Sequence, residues 1–299
     1  MLYVSTRNKI ETHTSHRALF TDNAPDGGFF APFHLPECSI DDFGGSLEEN
    51  IARILNVFFD TNLCSDDIKN AIGSDAIVVS NISQRLLFAE AFHNPAGNIR
   101  NIIENIHYLL TNQRTVPDGW VYIAIKIALL FGLFVHFKSE QDGLDVALPA
   151  DDYGDLSAVL YAKKMGLPMN RIICVCNHNN RLWDLVNRGE YSLVEKMPNY
   201  LENLIYHIYG NEGVTYLLKH AQKKSAYMLN DEQVQALTNE LFVAVVSNDR
   251  IDTVAANMFS SNQYRISPDA ALAYAGLQDY RSKTGINKHT LIFAEQRPD

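Results

Sequence analysis

Residues 144–176, LDVALPADDYGDLSAVLYAKKMGLPMNRIICVC, decide the fold. The apolar run Leu144–Pro149 predicts a buried strand, and Leu156–Met165 has the spacing of a helix that ends at a glycine. Arg171–Cys176 predicts the next strand. A strand, a helix and a strand in this order predict parallel pairing through a right-handed crossover. We therefore expect an α/β fold with a mostly parallel sheet flanked by helices.

Patterns on both sides of this unit extend the same fold. Strands are predicted at Asp75–Asn81, Leu241–Val246 and His289–Ala294. Helices are predicted at Leu47–Phe59, from the Asn98 N-cap onward, at Arg181–Asn187, at Asn199–Lys224 with a break near Gly210–Gly213, at Asp231–Glu240, and from Ser267–Asp269 to Gly285. The alternation of strands and helices indicates one α/β chain without internal repeats.

One apolar segment needs a test for membrane insertion. Trp120–Phe137, WVYIAIKIALLFGLFVHF, is about the minimum length for crossing a bilayer. Lys126 lies inside it, and a charge in the middle of a bilayer is costly. A helix that is apolar on all sides is also typical of a protein centre. We expect a buried helix and no membrane partner.

The amino-acid composition limits the kinds of binding partner and the cellular compartment that we expect. With 25 Lys and Arg against 35 Asp and Glu, the net charge is -10, which argues against nucleic acid as a partner. Cys174 and Cys176 alternate in a predicted strand and are expected to be buried, reduced thiols. The N-terminal residues contain no apolar signal core, so we expect a cytoplasmic protein.

Seven segments, in order along the chain, resemble threonine synthase, a fold-type II enzyme that uses pyridoxal phosphate (PLP) in amino-acid metabolism. The segments are Tyr3–Arg7, Asn23–Pro32, Glu90–Pro95, Leu148–Asp155, Tyr161–Pro168, Gly189–Ser192 and Ser267–Ala294. The resemblance implies an N-terminal threonine synthase-like segment at 1–85 and an α/β core with a truncated PLP-type domain at 86–299. It also implies a lyase, if the chain is active.

The residue that would carry the cofactor differs from the family. In the resemblance, the lysine that forms a Schiff base with PLP corresponds to Arg100, and the following aspartate to Asn101. A guanidinium stays protonated because its pKa lies above about 12, so it cannot supply the free amine that an imine needs. Lys126 and Lys163 are the alternative amines. Arg100 could instead lie on the surface, or bind an anionic substrate with two parallel hydrogen bonds.

The phosphate-binding loop and the smaller lobe also differ. The resemblance places the glycine-rich phosphate loop in the predicted loop Ala150–Asp155, where Gly154 and Asp155 are retained as cofactor-binding candidates. Asp151 and Asp152 bring carboxylates to a place meant for a dianion, and like charges repel by roughly 4 kcal/mol at 4 Å near a surface. The resemblance also implies that residues 112–119 replace most of the family's smaller lobe. We therefore expect no cofactor; PLP is expected only if this interpretation is wrong.

These departures predict a threonine synthase-like pseudoenzyme that has lost PLP-dependent catalysis. One alternative is a repurposed PLP-independent enzyme using the remnant cleft; the other is a PLP-dependent threonine synthase-like lyase. The candidate catalytic residues are His93, Arg100, Asp151 and Asp152. They have simpler interpretations too: a loop histidine, a surface arginine and helix-capping carboxylates.

The expected partners are a small metabolite and either a second copy of the chain or another protein. Loss of the smaller lobe would leave the Trp- and Phe-rich helix at 120–137 uncovered, and an exposed apolar face attracts a partner. No metal site is predicted, although His93 with Asp151 and Asp152 offers suitable ligand types for a divalent ion.

Overall fold

The computed structural model describes residues 1–83, 85–137, 143–150, 153–177, 180–193 and 197–298. Within these residues the helices are α1 (Ser15–Phe20), α2 (Leu47–Phe59), α3 (Ser65–Ile72), α4 (Ile99–Thr111), α5 (Gly119–Leu133), α6 (Tyr153–Lys164), α7 (Arg181–Arg188), α8 (Leu201–Gln222), α9 (Asp231–Glu240), α10 (Asn248–Asn262) and α11 (Pro268–Thr284). Short 3₁₀ helices cover Ile40–Asp42 and Phe134–His136.

The strands form one large sheet and two small ones. They are β1 (Leu2–Ser5), β2 (Thr12–Thr14), β3 (Phe30–Pro32), β4 (Val78–Ser83), β5 (Leu86–Glu90), β6 (Leu144–Pro149), β7 (Met169–Cys176), β8 (Glu190–Tyr191), β9 (Tyr227–Met228), β10 (Leu241–Val245) and β11 (Thr290–Ala294). The large sheet has the order β10-β7-β6-β11-β5-β4, with parallel pairing except between β4 and β5.

The unit at 144–176 folds as its sequence predicts. β6 and β7 pair in parallel, with Ala147 opposite Ile173 and Leu148 opposite Cys174, and α6 makes the crossover. Because side chains alternate along a strand, both cysteines of β7 point to one face. Both cysteines are buried, as expected, and neither forms a disulfide with another described residue. The helix begins at Tyr153 instead of Leu156, so part of the predicted loop belongs to its first turn.

Helices cover both faces of the sheet. One face packs against α5 and α6 in the larger core, which includes Trp120 and Leu156. The other face packs against α11, and Val175 of β7 contacts its buried side chains. A sheet covered on both sides needs strands that are apolar throughout, and residues 172–176 of β7 are buried without interruption.

The apolar helix α5 is buried in this core and not left uncovered. The 18-residue stretch Gly119–His136 is apolar enough to cross a membrane, but 83% of it is buried inside the protein. It packs against α2, α4 and α6, and Gly132 lets α2 approach closely: a Cβ there would lie 2.7 Å from Ile51. The expectation of a buried helix is confirmed. The expectation that this helix is left uncovered for a partner is wrong, because α2 and α6 occupy its faces.

The N-terminal segment shares the larger core with the rest of the chain. The boundary predicted after residue 85 falls between β4 and β5, which pair antiparallel at the edge of the large sheet. Tyr3 of β1 and Phe58 of α2 both contact the Trp120 ring, at centroid distances of 5.9 and 5.3 Å. The division into 1–85 and 86–299 stays a prediction.

Local signals set the ends of the elements that surround the cleft. The Asn98 side chain accepts a hydrogen bond from the Asn101 N–H at 3.2 Å, which caps α4. Ser267 caps α11, and Gly285 ends it with φ 70°. The predicted break in α8 falls at Gly210, where φ is 65°. α4 and α5 are joined directly by residues 112–118, which confirms the short connection at this point.

Candidate functional site

A cavity of about 800 Å³ lies at the carboxyl ends of β6 and β11. Its walls come from the ends of these strands, from the N-terminal turns of α4, α6 and α11, and from one side of α5 between Asp118 and Leu130. Ligands of open α/β sheets bind at this edge, and the volume is within the usual range for small-molecule sites. The charged side chains of the lining are Arg100, Asp118, Lys126, Asp155, Asp269, Glu295 and Arg297.

The Lys126 ammonium is held between two carboxylates on the wall of this cavity. Its Nζ lies 2.9 Å from Asp155 Oδ1 and forms a second ion pair with Glu295. The lysine side chain is 6% exposed, against 21% for Asp155 and 27% for Glu295. Burial lowers the pKa of the ammonium, but the two carboxylates outweigh it and raise this pKa well above the usual value. Lys126 is therefore a protonated cation.

Three separate elements bring this group together. Lys126 is in the middle of the apolar helix α5, Asp155 is in the first turn of α6, and Glu295 follows β11. Tyr122, one turn before the lysine, donates a hydrogen bond from its hydroxyl to Asp155 Oδ1 at 2.9 Å. The rings of Tyr122 and Phe293 each lie 5.7 Å from Nζ. We call Tyr122, Lys126, Asp155 and Glu295 the lysine cluster.

Arg100 lies on the same cavity but has a different environment. It is exposed in the first turn of α4, where a positive charge opposes the helix dipole. Within the described part of the chain it has no hydrogen-bond or ion-pair partner. Arg100 and Asp155 are thus the two sequence-predicted site residues that the structure brings to one cavity, and Gly154 is buried beside them in α6.

His93 is not among the side chains that line the cavity. Its Nε2 lies 2.6 Å from Glu90 Oε2, and the Tyr264 hydroxyl donates a hydrogen bond to the other oxygen of this buried carboxylate. Burial raises the pKa of Glu90, but hydrogen bonds from Ser80, Tyr264 and His93 outweigh it and hold this pKa below its usual value. Asp151 and Asp152 lie outside the described residues, so their assignment as candidate catalytic residues stays a prediction.

Sequence reasoning missed Tyr122, Glu295 and Arg297. A lysine in an apolar segment was a signal for Glu295, because a buried charge needs a partner of opposite sign. That rule could have predicted a carboxylate near Lys126, but not which one. The Asp155 carboxylate contacts the Lys126 ammonium and the Tyr122 hydroxyl, and the cofactor-binding role that the resemblance implies for it stays a prediction.

Comparison with known protein sequences finds similarity to threonine synthase and to threonine synthase-like proteins. Residues 2–75 match the family model described as threonine synthase N terminus. Human threonine synthase-like 1 is 22% identical over 186 residues, which are 57% of this chain and 25% of that protein. Mouse threonine synthase-like 2 is 31% identical over 174 residues, 52% of this chain and 36% of that protein. The matched part thus spans about a quarter to a little over a third of the length of these two relatives.

Solved structures share the whole fold. PLP-bound threonine synthase from Brucella melitensis superimposes with a TM-score of 0.86 at 16% identity, over 100% of this chain and 89% of that one. Yeast threonine synthase gives 0.83 at 15% identity, over 99% and 87%. The N-terminal match, the curated relatives and the common fold lead to one conclusion: this chain is similar to threonine synthases and threonine synthase-like proteins, and it has the α/β architecture of fold-type II PLP enzymes.

Proposed function

We propose that this chain is a threonine synthase-like pseudoenzyme that binds a small metabolite in its cleft and has lost PLP-dependent catalysis. The observation that carries this proposal is the state of Lys126. It is the one lysine among the described residues of the cavity lining, and two carboxylates hold it in the protonated form. A protonated ammonium is not a nucleophile toward an aldehyde.

The other side chains fit a covalently held PLP no better. Arg100 carries a guanidinium, which does not supply the free amine that an imine needs. The ammonium of Lys163 bonds to the Asn170 carbonyl at 2.8 Å and to Glu240 at 2.5 Å, and it does not line the cavity. The Asp155 carboxylate lies at the start of α6, where it binds Lys126. A bound phosphate would meet this negative charge, so the described residues do not fit the cofactor.

The remaining cavity supports a binding role. Its volume of about 800 Å³ accommodates a metabolite, and its walls combine aliphatic residues with the aromatic rings of Tyr122 and Tyr200. The two rings lie 5.4 Å apart between centroids. Walls that combine apolar side chains with a limited set of polar and charged groups are typical of a small-molecule site. The lysine cluster also offers acid and base groups, which keeps PLP-independent catalysis as the second candidate function.

The attachment experiment uses the purified chain, PLP and borohydride, followed by peptide mass spectrometry. We expect no adduct on Lys126 in the wild-type chain, because the amine is protonated and paired. In the double variant D155N/E295Q burial lowers the lysine pKa without opposition, so an adduct on Lys126 is expected there. K126A in the same background controls for reaction at surface lysines. A wild-type adduct on Lys126 would refute the loss of covalent attachment.

Metabolite binding is tested separately by thermal unfolding with a library of small metabolites. A compound that binds only the native state raises the unfolding temperature. We expect at least one compound to do so, and expect a larger side chain at Ala158 of the cavity wall, introduced as A158F, to abolish its effect. If no compound in the library shifts unfolding, the binding role is contradicted.

A further inference from the structure

Four cations lie at the amino ends of the parallel strands, on the opposite edge of the large sheet from the cavity. Arg85 directly precedes β5, Lys288 stands two residues before β11, and Arg281 and Lys283 are in the last turn of α11. A strand of five residues separates the two edges by roughly 15 Å, and none of the four side chains lines the cavity. We call Arg85, Arg281, Lys283 and Lys288 the amino-edge patch.

Hydrogen bonds to main-chain carbonyls hold the patch together. One terminal nitrogen of Arg281 donates to the carbonyls of Arg85 and Lys288, at 2.9 and 3.1 Å. Arg85 in turn donates to the Asn287 carbonyl at 2.7 Å. These acceptors are neutral, so they position the guanidinium groups without cancelling their charge. The segments before β5 and β11 are thereby fixed beside the end of α11.

Two cations of the patch lie near a carboxylate that is closed off from solvent. Asp145 of β6 is 1% exposed and accepts a hydrogen bond from the Arg171 N–H at 3.1 Å. Burial raises the pKa of Asp145, and the Arg171 N–H and the charges of Lys288 and Arg281 oppose this effect only in part. Burial lowers the pKa of Arg281, and the nearby charge of Arg85 acts in the same direction. Positive charges are therefore crowded at this edge.

Two carboxylates on the adjoining helices pair with cations outside the patch. Asp279 of α11 binds Arg250 at 2.7 Å, and Glu240 at the end of α9 binds Lys163 at 2.5 Å. In the described part of the chain, none of the four patch cations forms an ion pair with a carboxylate. Three of the four are exposed, and Arg281 is half-buried. The patch is thus a positive surface on a chain whose net charge is -10.

From this surface we propose that the amino-edge patch binds a short acidic segment of another protein. Carboxylates of the segment contact Arg85, Lys283 and Lys288, because guanidinium and ammonium groups both form charged hydrogen bonds with them. One apolar side chain packs on Ile286, which is 42% exposed between the two lysines. A long nucleic acid would also meet the negative charge of the remaining surface, so the charge balance favours a peptide. The proposal does not depend on what the cleft binds.

The test is a fluorescence-anisotropy titration of a labelled peptide of glutamates and leucines with the full chain. We expect binding at low salt that weakens as NaCl is added, and no binding of the peptide in which glutamine replaces every glutamate. K283E/K288E should raise the dissociation constant by about tenfold or more, because two attractions become repulsions. K219E/K223E is the matched control: it makes the same charge change on α8, and Lys219, like Lys283, is in the last turn of its helix.

Each further outcome supports or overturns this assignment. The replaced lysines are exposed, so both double variants should remain folded, and thermal unfolding checks this. I286S should weaken peptide binding by about threefold, because part of the apolar contact is lost. Absence of binding at low salt overturns the proposal, and so does an equal loss of affinity in K219E/K223E, which would reflect overall charge. Tighter binding of a single-stranded oligothymidylate through Lys283 and Lys288 would assign the patch to nucleic acid and also overturn it.

Discussion

Lys126 shows how a single buried charge determines what the cleft can do. In K126M the ammonium is lost, and Asp155 and Glu295 face each other without a cation. Removing one partner of a buried ion pair costs about 3–5 kcal/mol, and the partial exposure of both carboxylates reduces this to about 2 kcal/mol. We expect that loss in the free energy of unfolding, measured with urea at pH 7.

Two further variants give this prediction its controls. K163M removes a lysine whose partner Glu240 is 49% exposed, so its cost should stay below about 1 kcal/mol. The triple variant K126M/D155N/E295Q removes the repulsion together with the cation and should recover most of the stability lost in K126M. A K126M chain as stable as the wild type would mean that the carboxylates do not depend on the ammonium, and the assignment of the lysine cluster would fail.

At the scale of single elements, Gly276 allows α11 to approach the large sheet closely. A Cβ on this residue would lie 2.2 Å from one methyl carbon of Val175 in β7. G276A should therefore lose about 1–3 kcal/mol of unfolding free energy, because a packed core cannot accept the extra methyl group. The exposed replacement S282A on the same helix reports the effect of alanine on helix stability alone.

Coupling between the two residues identifies the cause. V175A removes the two methyl groups that the new Cβ would meet, so V175A/G276A should be less destabilised than the sum of the single variants, by at least about 0.5 kcal/mol. Urea unfolding of the four proteins provides the double-mutant cycle. Strict additivity would show that G276A acts through some other part of α11.

Periodicity and capping predict most of the elements that build the cleft. Leu144–Pro149 and Asp231–Glu240 have the predicted bounds, since an uninterrupted apolar run and a helical period leave few alternatives. α10 was not predicted, because its apolar face is narrow and three buried residues carry it. The start of α6 differs by three residues because Tyr153 packs against Tyr191, a contact between distant parts of the chain.

The site was less predictable than the elements. Arg100 and Asp155 came from resemblance to a family motif, and the structure places both on one cavity. Glu295 and Arg297 could not be recognised from the sequence, because their position depends on pairing between residues 97–99 and 295–297. His93 stands in the same loop as Gly97, yet its ring turns toward Glu90. The direction in which a loop side chain points depends on tertiary contacts, and these contacts produce no periodic pattern in the sequence.

At the scale of the whole molecule, the N-terminal segment and the α/β core depend on each other. Trp120 of α5 is buried against Tyr3 and Phe58, which both belong to the first 85 residues. Across the molecule, Glu202 of α8 is fully buried and pairs with Arg7 at 2.8 Å. A buried carboxylate without its cation is strongly destabilising. Residues 86–299 alone would expose the apolar face of α5 and leave Glu202 unpaired.

We therefore predict that the fragment 86–299 does not reach the native packing and that the full chain unfolds in one cooperative transition. The fragment should lack the near-ultraviolet circular dichroism of packed aromatic rings and should bind an apolar dye, as loosely packed states do. In the full chain, R7Q should lower the free energy of unfolding by the same amount whether unfolding is followed by the fluorescence of the two tryptophans or by far-ultraviolet circular dichroism. The two probes should agree because one core links both segments. R53Q, at an exposed position of α2, is its control. A fragment with native near-ultraviolet dichroism and its own sharp unfolding transition would establish residues 1–85 as a separable unit and contradict the shared core.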